Sequence, residues 1–214
     1  MATRMIFVRH GESLGNLYGR FVGQGDVPLS EKGHIQAEKT AEYLKDCPID
    51  VIYGSDLRRA FDTGKHIADK KKMKILPTKE LREINAGKWE GQLFSELGNI
   101  YPKEYNMWLN DLGNAACIGG ESVKELSARI TTFAQKLADK NRGKTVLCAT
   151  HATPIRALEC QWLGLPTERI IEVPWVRNAS VTIVDYLDNG SYKIILDGYD
   201  EFMGELSTGL PLTV

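Results

Sequence analysis

The feature that most constrains the fold is a short apolar run at residues 5–8, Met-Ile-Phe-Val. An uninterrupted run of this length, with β-branched and aromatic side chains, is typical of a strand buried in the centre of a sheet. Arg9 and His10 follow directly, where the strand should end. Ligands bind at that end of the strands in open α/β sheets. The run therefore predicts an anion site that contains a candidate nucleophile.

A second buried strand is predicted at residues 144–150, and it leads directly into His151. A helix is expected to begin immediately afterwards, with Thr153 as its cap and Pro154 at its first position. Helix N-termini attract anions. Because His10 and His151 follow two strands in matching contexts, we expect them to share one site.

The rest of the chain alternates between helical and strand patterns. Helices are predicted at residues 30–45, from about 56 to 70 and at 122–140, with short strands at 51–53 and 74–76. Apolar runs on both sides of Asp188-Asn189-Gly190 predict a β-hairpin that adds antiparallel strands to a mostly parallel sheet. Residues 13–25 hold four glycines and predict a loop. With 43% hydrophobic residues among 214, we expect one domain over residues 1–214, with a helical insertion at about 92–118.

Two pairs of charged residues leave alternatives open. Arg58 and Arg59 fall in the first turn of a predicted helix, where a cation opposes the helix dipole. Either could reach over the strand ends and bind an anion with two hydrogen bonds, or both could form an ordinary surface pair. Glu83 and Glu90 lie in an irregular glycine-rich stretch, and either could act as a general acid if the stretch covers a pocket.

Charge and composition argue against several classes of partner. The 27 basic and 28 acidic residues are interspersed, so no basic stripe indicates binding to nucleic acid or to a membrane surface. No apolar run approaches the ~20 residues that span a bilayer. The four cysteines lack metal-binding spacing and no signal-peptide pattern is present, so we expect reduced thiols in a cytoplasmic protein.

Six motifs, met in order along nearly the whole chain, resemble those of one enzyme family. They are Arg9-His10-Gly11-Glu12 with Asn16, Asp26-x-Pro28-Leu29-Ser30, Ser55-Asp56-Leu57-Arg58-Arg59-Ala60, Leu81-Arg82-Glu83, Gly87-x-Trp89-Glu90-Gly91 and Thr150-His151. On these residues the chain resembles the phosphoglycerate-mutase-like branch of the histidine phosphatase superfamily.

The resemblance implies a three-layer αβα sandwich with a mostly parallel central sheet. It implies that His10 becomes phosphohistidine and that Glu83, rather than Glu90, is the proton donor. It assigns phosphate binding to five further residues, Arg9, Asn16, Arg59, His151 and Ala152. Ala152 stands where the family usually has glycine, so its backbone amide is the expected contact, and a positive φ there would be strained. No metal or other cofactor is implied.

The loop at residues 87–91 and the short segment before residue 119 are similar to those of the family's phosphatases rather than its glycolytic mutases. We therefore expect a phosphatase that hydrolyses small-molecule phosphomonoesters. Phosphoglycerate mutase is the alternative, and a non-catalytic phospho-ligand binding protein is a minor one. The oligomeric state, including a homodimer, is left open. Four aromatic residues could line the pocket or pack in the core: Tyr101, Tyr105, Trp108 and Trp175.

Overall fold

The computed structural model describes residues 1–210. Within them, six strands form one sheet: β1 (Thr3–Arg9), β2 (Val51–Ser55), β3 (Ile75–Thr78), β4 (Thr145–Thr150), β5 (Val181–Tyr186) and β6 (Tyr192–Tyr199). The α-helices are α1 (Leu14–Leu17), α2 (Glu31–Tyr43), α3 (Arg58–Lys71), α4 (Phe94–Ile100), α5 (Pro102–Asn110), α6 (Val123–Lys140) and α7 (Ala152–Trp162). Short 3-10 helices occur at Lys79–Leu81, Gly87–Trp89, Leu112–Asn114, Thr167–Glu172 and Glu201–Leu206.

The strand order is β3-β2-β4-β1-β5-β6. The first four strands in this order are parallel, and β5 and β6 add to β1 as an antiparallel hairpin. The predicted α/β fold with a mostly parallel sheet and an antiparallel edge hairpin is confirmed. Arg9 lies opposite Thr150 in the ladder between β1 and β4. The chain therefore leaves these two neighbouring central strands side by side, at the same edge of the sheet.

Alternate side chains of β1 enter two separate cores. Met5 and Phe7 belong to a hydrophobic cluster with residues of α6 and α7. Ile6 and Val8 belong to a second cluster with residues of α2 and α3. All four side chains are fully buried. Helices thus cover both faces of the sheet, which explains why this stretch of the sequence is apolar without alternation.

The helix predicted at residues 122–140 is present as α6, and its first turn shows why it begins there. The hydroxyl of Ser122 accepts the N–H of Glu125 at 3.2 Å, and the Glu125 carboxylate accepts the N–H of Ser122 at 2.8 Å. This reciprocal capping box satisfies two N–H groups that the helix itself leaves unpaired.

The prediction of a loop rather than a helix at residues 13–25 was wrong for Leu14–Leu17. A single turn, α1, forms there because Ser13 and Asn16 cap it reciprocally. The Ser13 hydroxyl accepts the N–H of Asn16, and the Asn16 amide oxygen accepts the N–H of Ser13. The pattern Ser-x-x-Asn was a local capping signal that the high glycine content obscured.

The predicted start of the helix after β4 was also wrong. Helix α7 begins at Ala152, and His151 rather than Thr153 occupies its N-cap position. Proline is tolerated anywhere in the first turn, where no intrahelical N–H bond is lost, so Pro154 did not mark the first residue. Ala152 is helical and is not among the described residues with positive φ, so alanine there is unstrained.

Helices α4 and α5 lie in the stretch where an insertion was predicted. The assignment of residues 1–214 to one domain stays a prediction, and residues 211–214 lie outside the described part of the chain. Among residues 1–210, none of the helices combines the length and the apolar character needed to cross a bilayer.

Candidate active site

His10 is the first residue after β1, and two contacts fix its imidazole. Nδ1 lies 2.7 Å from the carbonyl oxygen of Gly11. Since a carbonyl oxygen can only accept, Nδ1 must carry the proton. Nε2 then presents a lone pair, to which the Nε–H of Arg59 donates at 3.3 Å. These contacts define one tautomer of a neutral ring, with Nε2 unprotonated.

His151 lies beside His10, with the ring centroids 5.1 Å apart. Its Nε2 is 2.9 Å from the hydroxyl of Ser55, the last residue of β2. The Ser55 hydroxyl also accepts the N–H of Leu57 at 3.3 Å, and with its second lone pair and its own proton it can either accept from Nε2 or donate to it. Nδ1 is buried and has no hydrogen-bond partner within residues 1–210. Whichever tautomer His151 adopts, its Nδ1 is left without a hydrogen-bond partner in the described part of the chain.

Two buried guanidinium groups flank the histidines. Arg59 donates to the carbonyl oxygens of Gly25 at 2.9 Å and Gly23 at 2.7 Å. Arg9 donates to the carbonyl oxygen of Val176 at 2.6 Å, while its Nε has no acceptor in the described chain. Both side chains are 1% exposed. Burial lowers the pKa of each to about 10, which leaves both charged at neutral pH.

The buried cations also act on the histidines. Burial lowers the pKa of His10 well below its usual value, and the charges of Arg59 and Arg9 lower it further. The pKa of His151 is lowered in the same direction, first by burial and then by Arg59. Both rings therefore stay neutral at pH values where a solvated histidine would be protonated.

The structure places Arg58 and Arg59 in different surroundings. Arg58 donates its backbone N–H to the Asp26 carboxylate at 2.7 Å, and its side chain pairs with the same carboxylate at 3.1 Å. Arg58 is therefore occupied at the surface. Arg59 alone of the pair reaches the histidines.

Glu83 and Glu90 also lie in different surroundings. Glu83 lines the cavity above His10, and its carboxylate accepts the N–H of Ile84 at 2.9 Å and of Thr153 at 3.4 Å. Glu90 instead accepts the N–H of Gln24 at 2.9 Å and lines a neighbouring surface depression. The structure brings Glu83, not Glu90, to the strand ends.

A cavity that opens to solvent lies over these residues. Six of the seven residues that the sequence assigned to the site line it: Arg9, His10, Asn16, Arg59, Glu83 and Ala152. The seventh, His151, contacts the His10 ring edge-on and is fully buried. The cavity therefore gathers the predicted residues from four separate parts of the chain.

Of the four candidate aromatic residues, only Trp108 and Trp175 line the cavity. Tyr101 and Tyr105 pack against Trp89 in the core. Tyr105 and Trp108 lie on the same helix, α5, and the pattern of so short a helix does not show which of the two side chains faces the cavity.

Several lining residues were missed from the sequence: Ser13, Arg20, Phe21, Phe94 and Leu210. Asn178 was missed as well. Its amide donates to the carbonyl oxygen of His10 at 3.1 Å and to Asn16 Oδ1 at 3.3 Å. Thr208 in turn donates to Asn178 Oδ1 at 3.3 Å, so the segment after β6 is tied to the loop that carries His10. An asparagine just before a strand offered no signal of this role.

The geometry agrees with the comparisons to known proteins. The family sequence model of the histidine phosphatase superfamily (branch 1) matches residues 5–195. Phosphoserine phosphatase 1 of Hydrogenobacter thermophilus is 32% identical over 193 residues, which cover 90% of this chain and 86% of that protein. Phosphoglycerate mutase-like protein 4 of Arabidopsis thaliana is 34% identical over 195 residues, which cover 90% and 83%.

Among solved structures, a mycobacterial glucosyl-3-phosphoglycerate phosphatase superposes with a TM-score of 0.83 at 27% identity, over 94% of this chain and all of that one. The family match spans both strands that precede the histidines and the helices between them. This chain belongs to the histidine phosphatase superfamily, branch 1.

Proposed function

We propose that this protein is a phosphatase that transfers the phosphoryl group of a phosphomonoester first to His10 and then to water. The observation that carries the proposal is the fixed tautomer of His10. Its proton lies on Nδ1, toward Gly11, and its Nε2 lone pair lies beside Arg59. A neutral imidazole nitrogen can attack phosphorus, whereas a protonated one cannot. The lowered pKa of His10 keeps the nucleophile in its reactive form.

The surrounding donors suit the charge of the reacting group. During phosphoryl transfer, negative charge spreads over three equatorial oxygens. Arg9 and Arg59 supply two buried cations with no carboxylate paired to them in the described chain, and the buried Nδ1 of His151 has no partner there. Asn16 and Ala152 line the same cavity, and in this proposal they are further phosphate contacts. Fixed donors in a buried site stabilise the transition state without reorganising.

Glu83 is the proton donor in this proposal. In the first step the bond from His10 Nε2 to phosphorus forms, the bond from phosphorus to the leaving oxygen breaks, and that oxygen takes the Glu83 proton. In the second step a water oxygen attacks phosphorus, the bond to Nε2 breaks, and the Glu83 carboxylate takes the water proton. Inorganic phosphate leaves, and both side chains return to their starting states.

The names of the relatives support hydrolysis of phosphomonoesters. Two of them are phosphatases, of phosphoserine and of glucosyl-3-phosphoglycerate. The Arabidopsis relative is named mutase-like, so phosphoglycerate mutase is the second candidate. The cytoplasmic location and the possible homodimer stay predictions. Light scattering after size-exclusion chromatography measures the oligomeric state.

The test is phosphate release in the presence of EDTA from p-nitrophenyl phosphate, O-phosphoserine and 3-phosphoglycerate, with His10→Ala as the control. We expect release by the wild type and a loss of at least a thousandfold in the variant, since the nucleophile is absent. Conversion of 3-phosphoglycerate to its 2-isomer without release supports the mutase. Binding of inorganic phosphate with neither activity supports the binding protein.

A further inference from the structure

The backbone that carries Glu83 has no regular secondary structure to hold it. Residues 82–86 follow the 3-10 helix Lys79–Leu81 and belong to neither a helix nor a strand. Carbonyl groups in such a stretch need donors from elsewhere in the protein, because no helix or sheet ladder supplies them. The position of Glu83 therefore depends on the groups that bind residues 80–85, which we call the Glu83 segment.

One side chain, that of Arg129, binds three carbonyl oxygens of the Glu83 segment. Its Nη1 donates to the carbonyl oxygen of Glu80 at 2.7 Å and to that of Arg82 at 3.2 Å. Its Nη2 donates to the carbonyl oxygen of Glu83 at 3.4 Å. A single planar guanidinium therefore holds the backbone of Glu83 and of the residues before it.

A carboxylate fixes the guanidinium of Arg129 in turn. Nε and Nη2 donate to the two oxygens of Glu121 at 2.9 and 3.0 Å, which is the geometry of a bidentate ion pair. Glu121 Oε2 also accepts the N–H of Asn85 at 2.9 Å, at the far end of the Glu83 segment. The two side chains are only 19% and 21% exposed, so salt and water screen this pair less than a fully exposed one.

Arg129 is attached to a rigid support. It lies on α6, and its neighbours Leu126 and Ile130 are fully buried in the core that this helix forms with β1. The capping box at Ser122 fixes the first turn of the same helix. The guanidinium therefore ties the irregular Glu83 segment to one of the best-packed helices of the protein.

The carboxylate of Glu83 has little support of its own. One of its hydrogen bonds comes from the N–H of Ile84, the next residue, which moves with the segment. The other comes from the N–H of Thr153 and is long, at 3.4 Å. The place of the carboxylate is therefore set mainly by the backbone that carries it. A misplacement of about 1 Å in a catalytic group can cost about a hundredfold in rate.

We propose that Arg129 is a positioning residue, which holds the Glu83 segment so that the Glu83 carboxyl group lies where both proton transfers occur. The proposal rests on the phosphatase function proposed above. It assigns a role in the reaction to a side chain on α6 that does not line the cavity.

The experiment is a double-mutant cycle between Arg129→Gln and Glu83→Gln, measured on the ester of the panel above that the wild type hydrolyses fastest. Arg129→Gln should lower kcat by about 10- to 100-fold. In the Glu83→Gln background the same replacement should lower kcat by less than about threefold, because a misplaced glutamine loses no proton transfer. A purely structural role of Arg129 would give the same loss in both backgrounds.

The release of nitrophenolate from p-nitrophenyl phosphate in a single turnover gives a second readout. Nitrophenolate is a weak base, so this step needs little help from a proton donor. Its rate in Arg129→Gln should stay within about threefold of the wild type, although kcat falls. Damage to the phosphate-binding groups would slow this step as well.

Two further variants complete the test. Arg129→Lys keeps the charge but lacks the fork of five donors, so it should recover only part of kcat. It also replaces Arg129→Gln in the cycle if circular dichroism shows that the glutamine variant is unfolded. Arg4→Gln is the matched control. It removes a guanidinium that donates to both carboxylate oxygens of Asp185, at 2.8 and 2.9 Å, and neither residue lines the cavity. Its kcat should stay within about threefold of the wild type.

Three results would overturn the inference. Equal losses in the two backgrounds would make Arg129 structural only. A single turnover slowed as much as kcat would assign the effect to the whole pocket. An unchanged kcat in Arg129→Gln would show that the Glu83 segment needs no such support. In each case, hydrolysis by the wild type leaves the phosphatase function intact. If the wild type hydrolyses none of the esters, the phosphatase function itself fails, and the positioning role fails with it.

Discussion

Replacing Glu83 by Gln should separate the two halves of the proposed reaction. The glutamine keeps the shape of the side chain and can still accept one of the two backbone N–H bonds, from Ile84 or Thr153, that hold the carboxylate. It cannot give a proton to a leaving group or take one from water. A positioned general acid or base contributes about 10²- to 10⁴-fold. That range corresponds to a barrier increase of about 2.7–5.4 kcal/mol.

The two steps respond differently to the leaving group. An alkyl phosphate needs the Glu83 proton to expel its alkoxide, so both steps slow in the variant. The nitrophenolate of p-nitrophenyl phosphate is a weak base and leaves with little assistance. With this substrate, Glu83→Gln should still form phosphohistidine rapidly on His10, and only the attack of water should be slow.

Stopped-flow absorbance measures this directly. We expect a burst of one nitrophenolate per active site, followed by steady turnover about 10²- to 10⁴-fold slower than that of the wild type. Glu90→Gln is the matched control, because Glu90 lies in the same stretch and accepts the N–H of Gln24 but does not line the cavity. Its turnover should stay within about threefold of wild type. Steady turnover by Glu83→Gln above a tenth of wild type, or a burst suppressed as much as turnover, would refute the assigned role.

Two further predictions concern stability. Glu159 on α7 is buried, and burial followed by the Asp197 carboxylate raises its pKa to about 9 from 4.5. Between these two pKa values the folded protein therefore binds one proton more than the unfolded chain. Because of this difference, the free energy of unfolding should fall as the pH rises through this range, by up to ~1.4 kcal/mol per pH unit. Urea titrations at pH 5, 7 and 8.5 measure the free energy of unfolding of the wild type and of Glu159→Gln. The value for the variant should rise relative to that of the wild type as the pH rises. A difference that does not depend on pH would contradict the raised pKa of Glu159. Ser122→Ala removes the capping box of α6 and should lower the free energy of unfolding by about 1 kcal/mol, whereas Ser122→Thr should lose less. Urea titration at pH 7 measures both, and equal losses would show that the hydroxyl contributes nothing.

The fold was predictable where one signal dominated. The run at residues 5–8 has no polar residue on either face, which only a central strand covered on both sides can bury. The capping box at Ser122 and the turn before β6 were similarly unambiguous. The start of α7 was mistaken because several residues in one turn, His151 to Pro154, can each occupy a capping or first-turn position.

The candidate site was predictable in part because strand ends converge. His10 and His151 follow neighbouring strands, so their meeting needed only the sheet order. The choice between Arg58 and Arg59, and between Glu83 and Glu90, could not be made from residue types alone, because each pair has the same chemistry at nearly the same position. Tertiary contacts decide which member turns inward. Arg20, which also lines the cavity, gave no signal in the sequence.

The order of the sheet also affects how the protein gains activity during folding. β1 is made first, yet its two neighbours, β4 and β5, both come from the last third of the chain. Contacts between such distant segments form slowly, because a long loop must close before they stabilise anything. A partly folded chain can therefore hold native helices and still keep its two histidines apart. Recovery of phosphatase activity after dilution from urea should lag behind recovery of helical signal, which would make catalysis a reporter of the final, long-range step of folding.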